Sequence, residues 1–401
     1  HQIISKDPNI HGGLTGSIPV TGNYLRMALP NWGMKFFIDA LLCAPAENRR
    51  RVLFTLPGLE AGGAERVMIN LMNGLDPEKF NVSLLAVKGG PLRSNIRNGI
   101  VVDDLKMTSV PLALPKLYRA LRRLRPDIVV STMAHMNFAV LLLRPFFPET
   151  KFVIREAITP SFFLQKGDLR SRIIGLLYKM LYPKSHVSLA PAKLILKEFK
   201  NLGLRLQSPL WLPNPVDEEA LRQHPLAPQL KGLNFVAAGR LHHQKGFDRL
   251  ITALKDFKPG GDWTLTILGE GSERRTLEAL IRNNGLENHV ILAGHHAAPW
   301  SYYGSADAFI LPSRWEGLPN VVLEALACGT IVLAAREAGG IDEIAALAGD
   351  NVKVFDNMDR MVRAMANIRP AFKASMSPSL LPAEFRSQAV DAEFSALLDR
   401  I

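Results

Sequence analysis

The stretch LNFVAAGRLHHQKGFDRLI, residues 233–251, contains a complete strand–loop–helix unit. Its opening run, LNFVAAG, is almost continuously apolar, as in a strand covered on both faces. Gly239 ends that run, a polar loop carries Arg240 and Lys245, and a helical pattern begins at Phe247. A strand followed by a helix in this order predicts one unit of a parallel sheet with helices on its faces.

The same alternation recurs along the rest of the chain. From Arg51 onward, helical patterns separate the apolar runs RVLFTLP, FNVSLLAV, DIVVSTM, FVIREA and WLPNPVD. After Phe247 come WTLTILG, HVILAG, DAFILPS, TIVLAA and NVKVF, with a further helix expected from Glu273. We therefore predict an α/β protein made of two tandem, Rossmann-like, doubly wound domains.

Proline-rich PLWLPNPVD (209–217) predicts a hinge between these domains. We place the first domain at 51–213, the second at 214–370 and a C-terminal segment at 371–401. Residues 1–50 are interpreted as an N-terminal arm or upstream extension that includes the start of the domain. Its first 33 residues lack the cationic start and apolar core of a signal peptide.

Composition narrows the function classes. The chain has 401 residues, 47% hydrophobic and 21% charged, which is typical of a globular protein of two domains. Only two cysteines are present, which favours a reducing compartment over a disulfide framework. No stretch reaches the roughly 20 uninterrupted apolar residues of a membrane span. The net charge of +11 predicts an anionic partner: nucleic acid, anionic lipid or a phosphorylated ligand.

Glycines and charged residues cluster where the strands of the second domain are expected to end. In open α/β sheets, ligands bind at the carboxyl ends of the strands. Those ends fall at Gly239-Arg240, Gly269-Glu270-Gly271, Gly294-His295, Ser313–Glu316 and Glu337–Gly340. Arg240 and Lys245 together suit a diphosphate, because the guanidinium of Arg240 offers a fork of hydrogen-bond donors and the ammonium of Lys245 offers a point charge. The alternative for both is a solvated surface pair.

A nearly all-apolar helix is predicted within EGLPNVVLEALACG, residues 316–329. Pro319 suits its first turn, and the amides of Asn320, Val321 and Val322 would be free to bind an anion. Glu324 lies in the apolar part with no obvious partner nearby, so we expect it to accept hydrogen bonds from a ligand diol such as ribose. Glu316 precedes the helix and is expected to face the cleft, unless it merely complements the helix dipole.

The first domain offers fewer candidates. Gly62 and Gly63 lie in LPGLEAGGAERV (56–67), where they would let the backbone approach a ligand closely, although a flexible βα turn is the alternative. His135 follows a predicted strand end and would face the cleft, whereas a lone histidine is more often structural. No Asp-x-Asp pair, GxxxxGK[ST] motif or zinc-like Cys/His cluster occurs, so we expect neither a metal nor another cofactor.

From about residue 51 to the C-terminus, the chain resembles the retaining GT-B glycosyltransferases often called family 4. The resemblance is carried by GGAERV (62–67), GRLHHQKGFDRLI (239–251), LGEG (268–271) and EGLPNVVLEALACG, which holds the family's Glu-x7-Glu pattern at Glu316 and Glu324. PAEFRSQAVDAEFSALL near the end resembles the family's terminal helix, which returns to the first domain. The family has the GT-B fold, in which two Rossmann-like domains face a central cleft, and typically needs no metal.

The resemblance implies a role for each candidate. Arg240 and Lys245 would neutralise the donor diphosphate with amides around Leu318–Val321, Glu324 would hold the ribose, and Glu316 would contact the donor sugar. His135 would approach that sugar from the first domain, while Gly62 and Gly63 would shape the acceptor side. The donor-binding set is therefore Arg240, Lys245, Gly269, Gly271, Glu316, Gly317, Leu318, Pro319, Asn320, Val321 and Glu324. The chain departs from the family's pattern at HVSLAPAKLILKEF (186–199), where relatives often have a serine-rich strand end. This departure concerns the acceptor side.

The function implied is retaining, metal-independent transfer of a sugar from a nucleotide sugar, expected to be a UDP-sugar, to a lipid-linked or polysaccharide acceptor in cell-envelope glycan biosynthesis. Cationic, apolar PKLYRALRRLR (115–125) and SRIIGLLYKMLYPK (171–184) would suit an anionic membrane, so we expect a cytoplasmic protein peripheral to the inner face of the cytoplasmic membrane. The alternative for both segments is an ordinary amphipathic helix packed on the sheet.

Two other functions remain open at this point. A sugar-nucleotide epimerase shares the architecture, although the Glu-x7-Glu pattern argues against it. A basic nucleic-acid-binding protein would fit the charge, but the sequence has no recognition motif and only 7% aromatic residues, so we expect no nucleic-acid partner.

Overall fold

The computed structural model describes residues 49–60, 62–164 and 167–401. Residues 51–76 and 82–401 form one compact unit, which holds nearly all of both sheets. The other unit includes Arg49, Arg50 and residues 77–81, within which the Arg49 guanidinium donates a 2.9 Å hydrogen bond to the carbonyl of Pro77. Residues 1–48, on which the predicted arm falls, lie outside the described residues.

The first sheet has seven strands in the order β3-β2-β1-β4-β5-β6-β7. The strands are β1 Arg50–Leu56, β2 Phe80–Ala86, β3 Val101–Asp104, β4 Ile128–Thr132, β5 Lys151–Arg155, β6 Val187–Ala190 and β7 Pro209–Trp211. The helices around it are α1 Gly63–Gly74, α2 Val110–Leu124, α3 Ala134–Leu143, α4 Ser161–Leu164, α5 Leu169–Leu181 and α6 Lys193–Asn201. Its strands pair in parallel, as the crossover helices require.

The second sheet has six strands in the order β10-β9-β8-β11-β12-β13. They are β8 Leu233–Ala238, β9 Trp263–Leu268, β10 Val290–Gly294, β11 Ala308–Leu311, β12 Val332–Ala335 and β13 Val352–Phe355, all paired in parallel. The helices are α7 Glu218–Arg222, α8 Phe247–Ala253, α9 Arg274–Asn283, α10 Trp300–Ser305, α11 Asn320–Ala327, α12 Ile341–Ala348 and α13 Met358–Met365. Separate apolar clusters pack against the two faces of this sheet.

Both strand orders reverse direction at one point, between β1 and β4 and between β8 and β11. That reversal is the topological switch of a doubly wound sheet, where neighbouring crossovers leave to opposite faces and open a crevice. The structure thus confirms the prediction of two tandem Rossmann-like domains with the GT-B architecture. The loops after β1, β4, β8 and β11 carry most of the predicted site residues.

Two segments connect the domains side by side. The link after β7 and the C-terminal segment pair at Val216, whose amide donates to the Phe385 carbonyl at 2.9 Å and whose carbonyl accepts from Ser387 at 3.0 Å. The last helix, α14 Ser387–Arg400, then packs on the first domain, with the Phe394 and Phe54 rings 6.2 Å apart. The chain therefore crosses between the domains twice.

The structure differs from the sequence prediction in three local details. WLPNPVD was expected to be strand-like, but β7 is only Pro209–Trp211, because the prolines beyond it cannot donate ladder hydrogen bonds. The helix predicted at PKLYRALRRLR is confirmed, but it begins before this segment, at Val110, with Pro115 inside it. Strand β3, whose charged VVDD sequence lies at the sheet edge, was not predicted from the sequence.

Candidate donor site

Gly269 and Gly271 allow the loops at the ends of the second sheet to pack backbone against backbone. A Cβ built on Gly269 would lie 2.0 Å from the carbonyl oxygen of Gly239, and one built on Gly271 would lie 2.3 Å from that of Leu241. No side chain fits at either position. The structure therefore gives both glycines a packing role, and their predicted contact with a donor stays a prediction.

The charged centre of the site joins the β8 loop to the β11 loop. Lys245 Nζ lies 2.5 Å from Glu316 Oε1, which also accepts a 2.8 Å hydrogen bond from Ser313 Oγ. The Lys245 and Glu316 side chains are only 19% and 10% exposed, so their charges are poorly solvated and compensate each other. Arg240, by contrast, is exposed, and no described residue hydrogen-bonds its guanidinium.

Helix α11 begins directly beside this ion pair. Pro319 precedes the helix instead of forming its first turn, and the Val322 amide donates to the Pro319 carbonyl at 3.0 Å. The prediction of a free Val322 amide was therefore wrong, whereas among the described residues the amides of Asn320 and Val321 have no hydrogen-bond partner. These two donors at the positive end of a helix can receive an anion.

Gly317 places this loop against the first domain. A Cβ built on Gly317 would lie 2.1 Å from the carbonyl oxygen of Ala157, which follows β5. Leu318, the next residue, is buried and its backbone lies close to Gly340. The loop that leads into α11 is thus fixed by backbone contacts on both sides.

Glu324 has partners that lie far from it in the sequence. Burial raises the pKa of Glu324 to about 7, while the Arg66 guanidinium on α1 and the Trp300 indole on α10 lower it by less. The buried Trp300 indole nitrogen is near enough to the carboxyl group to affect its pKa, but no hydrogen bond of normal geometry joins them among the described residues. The carboxyl group therefore lies at the domain interface, where it changes protonation near neutral pH.

Glu65, which the sequence analysis missed, is folded back over the glycine loop of the first domain. A Cβ built on Gly62 would lie 2.1 Å from Glu65 Oε2, so the carboxylate occupies the space that a side chain at Gly62 would need. Glu65 is 9% exposed, and no described residue hydrogen-bonds its Oε2. Burial raises the pKa of Glu65, and the positive charge of Arg240 on the second domain lowers it by less.

His135 lies in the first turn of α3, directly after the end of β4. Met133, at the N-cap of that helix, has φ of 68°, which is uncommon for a residue with a side chain and is a feature of functional sites. His135 is exposed to solvent, but desolvation by neighbouring atoms lowers its pKa, which favours the neutral imidazole. No hydrogen bond or ion pair joins it to the other predicted residues in the described part of the chain.

Neither a metal cluster nor a membrane-spanning helix is found in the described ranges. No three His, Cys, Asp or Glu side chains there are grouped as metal ligands would be. None of the helices has the length and hydrophobicity needed to cross a bilayer.

These features define a class of protein: a two-domain, doubly wound α/β protein with a candidate anion site at the switch point of its second sheet. The model of the family described as "Glycosyl transferases group 1" matches residues 219–368, and that of "Glycosyltransferase Family 4" matches residues 61–220. The chain belongs to this glycosyltransferase family.

Individual relatives agree with the family models. An N-acetylgalactosamine-N,N'-diacetylbacillosaminyl-diphospho-undecaprenol 4-alpha-N-acetylgalactosaminyltransferase of Campylobacter jejuni is 31% identical over 313 residues, which is 72% of this chain and 83% of that protein. The lipopolysaccharide core biosynthesis glycosyltransferase LpsD of Rhizobium meliloti is 24% identical over 84% of this chain and 95% of its own. Anabaena Alr3699/HepE, solved with UDP and glucose, has the same fold, with a TM-score of 0.71 at 17% identity over 88% of this chain and all of its own.

Proposed function

We propose that this glycosyltransferase moves a sugar from a nucleoside-diphosphate sugar to a lipid-linked or polysaccharide acceptor in the synthesis of a cell-envelope glycan. The observation that carries the proposal is the poorly exposed Lys245–Glu316 pair beside the two unpartnered amides of α11. The Campylobacter relative, by its name, acts on a diphospho-undecaprenol, and the Rhizobium relative acts in lipopolysaccharide core synthesis. Both names favour an acceptor of the cell envelope.

The donor diphosphate is assigned to the end of the second sheet. Lys245 and the exposed Arg240 supply positive charge there, and the amides of Asn320 and Val321 supply hydrogen bonds. Lys245 is already compensated by Glu316, so the incoming phosphate shares this cation with the carboxylate. Glu324 accepts hydrogen bonds from the ribose hydroxyls, and Glu316 contacts the sugar. Because the HepE structure contains UDP, a UDP-sugar is the first donor to test.

Transfer proceeds with retention at the anomeric carbon and without a metal. The bond between that carbon and the diphosphate oxygen breaks, and Arg240 and Lys245 stabilise the negative charge on the departing diphosphate. The acceptor hydroxyl attacks from the same face and passes its proton to the departing phosphate oxygen. His135 contacts the sugar from the first domain as a neutral imidazole, while Gly62 and Gly63 border the acceptor side.

The acceptor reaches the site from a membrane surface along α5. Leu169, Ile173, Leu176 and Met180 are between 50% and 74% exposed and recur at helical spacing, so they form one apolar stripe. A groove of about 550 Å³ beside it is lined by apolar residues, among them Leu164 and Leu204, and by the cations Arg172 and Lys179. Such a surface suits anionic lipid, and the groove suits a prenyl chain.

Helix α2 does not belong to this surface. Leu117 and Leu121 are fully buried against the first sheet, so its apolar face is already covered. Lys116 donates to the Leu105 carbonyl at 2.9 Å, and Arg123 pairs with Asp103. The structure thus favours the alternative of an ordinary packed helix for this segment, and the membrane proposal rests on α5 alone.

A transfer assay tests the proposed function. The protein is incubated with UDP-, GDP- and ADP-sugars labelled in the sugar, together with diphospho-undecaprenol-linked saccharides. We expect label from one donor to enter the organic phase only when the acceptor is present, and a Lys245→Ala variant to lose this activity. Release of free nucleotide with an altered sugar in the absence of acceptor would instead indicate an epimerase and contradict the proposal.

A further inference from the structure

Three hydrogen-bonded side chains connect the first domain to the first residue of α11. Arg155 Nη2, at the end of β5, donates to Asn214 Oδ1 in the interdomain link, and Asn214 Nδ2 donates to Asn320 Oδ1. Arg155 is 1% exposed and Asn214 is 5% exposed. We call these three residues the amide relay.

The far end of the amide relay is held firmly. The carbonyl oxygen of Arg155 accepts a 3.0 Å hydrogen bond from Asn137 Nδ2, and its backbone pairs in parallel with β4 and β6. Burial lowers the pKa of the guanidinium to about 10, so Arg155 remains a cation at neutral pH. Its Nε is buried and has no hydrogen-bond partner in the described residues.

A guanidinium fixes the direction of every hydrogen bond in this relay. It can only donate, so Asn214 must turn its oxygen towards Arg155 and its NH₂ group towards α11. Asn320 then has to present its own oxygen to Asn214. The remaining NH₂ group of Asn320 is therefore forced to point away from the link.

That NH₂ group lies between the two domains at the start of α11. A Cβ built on Gly63 would lie 3.4 Å from Asn320 Nδ2, which puts it next to the glycine loop of the first domain. No described residue accepts a hydrogen bond from Asn320 Nδ2. Asn320 Nδ2 belongs to the same residue as one of the two unpartnered backbone amides. The side-chain N–H and the backbone N–H of Asn320 can therefore both donate to one anion.

We propose that Arg155 and Asn214 are positioning residues that hold the side-chain N–H of Asn320 towards the donor diphosphate. This inference rests on the proposed function, because it assumes that a nucleoside diphosphate occupies the start of α11. Asn320 is the contacting residue and donates its side-chain N–H to a phosphate oxygen. Arg155 and Asn214 act only through it, by excluding the reversed orientation of its amide.

The Asn214→Asp variant tests the direction of the relay. The aspartate has the same shape and still accepts from Arg155, but its second oxygen now needs a donor. Asn320 must reverse its amide to supply one, which turns its oxygen towards the diphosphate. We expect the Kd for the nucleoside diphosphate that the wild type binds best, measured by calorimetry, to rise about 10-fold or more, as for the loss of one hydrogen bond to a charged group.

A double-mutant cycle separates this effect from a general effect of the new charge. Asn320→Ala removes the N–H donor, and we expect it alone to raise the Kd about 10-fold, as for the loss of one hydrogen bond to a charged group. In the Asn320→Ala background, Asn214→Asp should add nothing, because no amide is left to reverse. If the full effect of Asn214→Asp persisted in that background, or if Asn214→Asp bound the nucleotide as the wild type does, the relay would be wrong.

Asn320→Asp provides a second test that needs no change at the buried link. Its carboxylate still accepts from Asn214, but it faces the diphosphate with a charged oxygen in place of an N–H. We expect binding about 100-fold weaker than in the wild type, well beyond the loss in Asn320→Ala. Equal affinities of the two variants would show that the side chain does not face the phosphate. A wild type that binds no nucleoside diphosphate would overturn the proposed donor site together with the relay.

Discussion

Glu65 and Arg66 are adjacent in the first domain and carry opposite charges. Each is influenced by a residue of opposite charge in the second domain: Glu65 by Arg240, and Arg66 by Glu324. The positive charge of Arg240 lowers the pKa of Glu65, and that of Arg66 lowers the pKa of Glu324, in each case by less than burial raises it. In the proposed function, Arg240 binds the diphosphate and Glu324 binds the ribose. In that function, the donor would interact with the same two residues of the second domain whose charges are affected by Glu65 and Arg66.

The protonation of Glu324 gives a prediction about stability. Its pKa of about 7 in the folded protein lies above the unfolded value of 4.5, so the folded state binds its proton more tightly. This contribution to stability is complete below pH 4.5 and is lost as the pH rises through 7. Above pH 8 the wild type carries a half-buried charge that Glu324→Gln lacks. We therefore expect the free energy of unfolding of Glu324→Gln, relative to that of the wild type, to be on the order of 3 kcal/mol higher above pH 8 than at pH 4.5.

Urea unfolding of the wild type and of Glu324→Gln between pH 4.5 and 9 measures this difference. Burial also raises the pKa values of Glu156 and Asp391 to about 7, but both residues are present in both proteins and cancel in the comparison. A difference between the two proteins that stays constant over this range would show that Glu324 does not titrate near neutral pH.

At the scale of elements, the exposed stripe of α5 is expected to bind anionic membranes. Replacing Ile173 and Leu176 by glutamate places two charges on that stripe. The control makes the same replacement at Leu230 and Leu347, which are 45% and 38% exposed and lie in the second domain, away from the stripe. We expect the first double variant to lose about five-fold or more of its binding to phosphatidylglycerol vesicles in a flotation assay, and the second to keep it. Equal flotation of both variants would contradict a membrane role of α5.

The elements themselves follow from local patterns, and the sequence predicted them well. Continuous apolar runs indicated most strands, and the helix predicted within residues 316–329 is confirmed as α11. Strand β3 was missed because edge strands tolerate charge and need no apolar run. Helix α2 was assigned to a possible membrane surface because a pattern cannot say which partner covers an apolar face.

The site was predicted less completely, because its contacts join residues far apart in the chain. Lys245 and Glu316 were each proposed from local sequence, but nothing indicated that they form an ion pair with each other. Glu65 was missed, and so were the hydrogen bonds that link Arg155, Asn214 and Asn320, although Asn320 itself was in the predicted donor-binding set. Those hydrogen bonds join three separate segments, which no short motif records.

On the scale of the whole molecule, two chain crossings join two domains, and residues of the candidate site lie near the switch point of each sheet. The link at Val216 and the segment leading into α14 run side by side, so the domains are coupled at one edge. The amide relay passes through Asn214 in that link and ends at the first residue of α11. The link that joins the domains is therefore also hydrogen-bonded to the first turn of α11.

The most direct test of the account is calorimetric titration of the protein with UDP, GDP and ADP in the absence of metal. Lys245→Ala and Glu324→Ala remove a proposed phosphate contact and the proposed ribose contact, and Lys255→Ala, an exposed lysine at the end of α8, serves as a matched control. We predict micromolar binding of one nucleotide by the wild type and the control, weakened about 10-fold or more in the other two variants. Failure of all three nucleotides to bind, or equal affinity in every variant, would contradict a nucleotide-sugar site at the end of the second sheet.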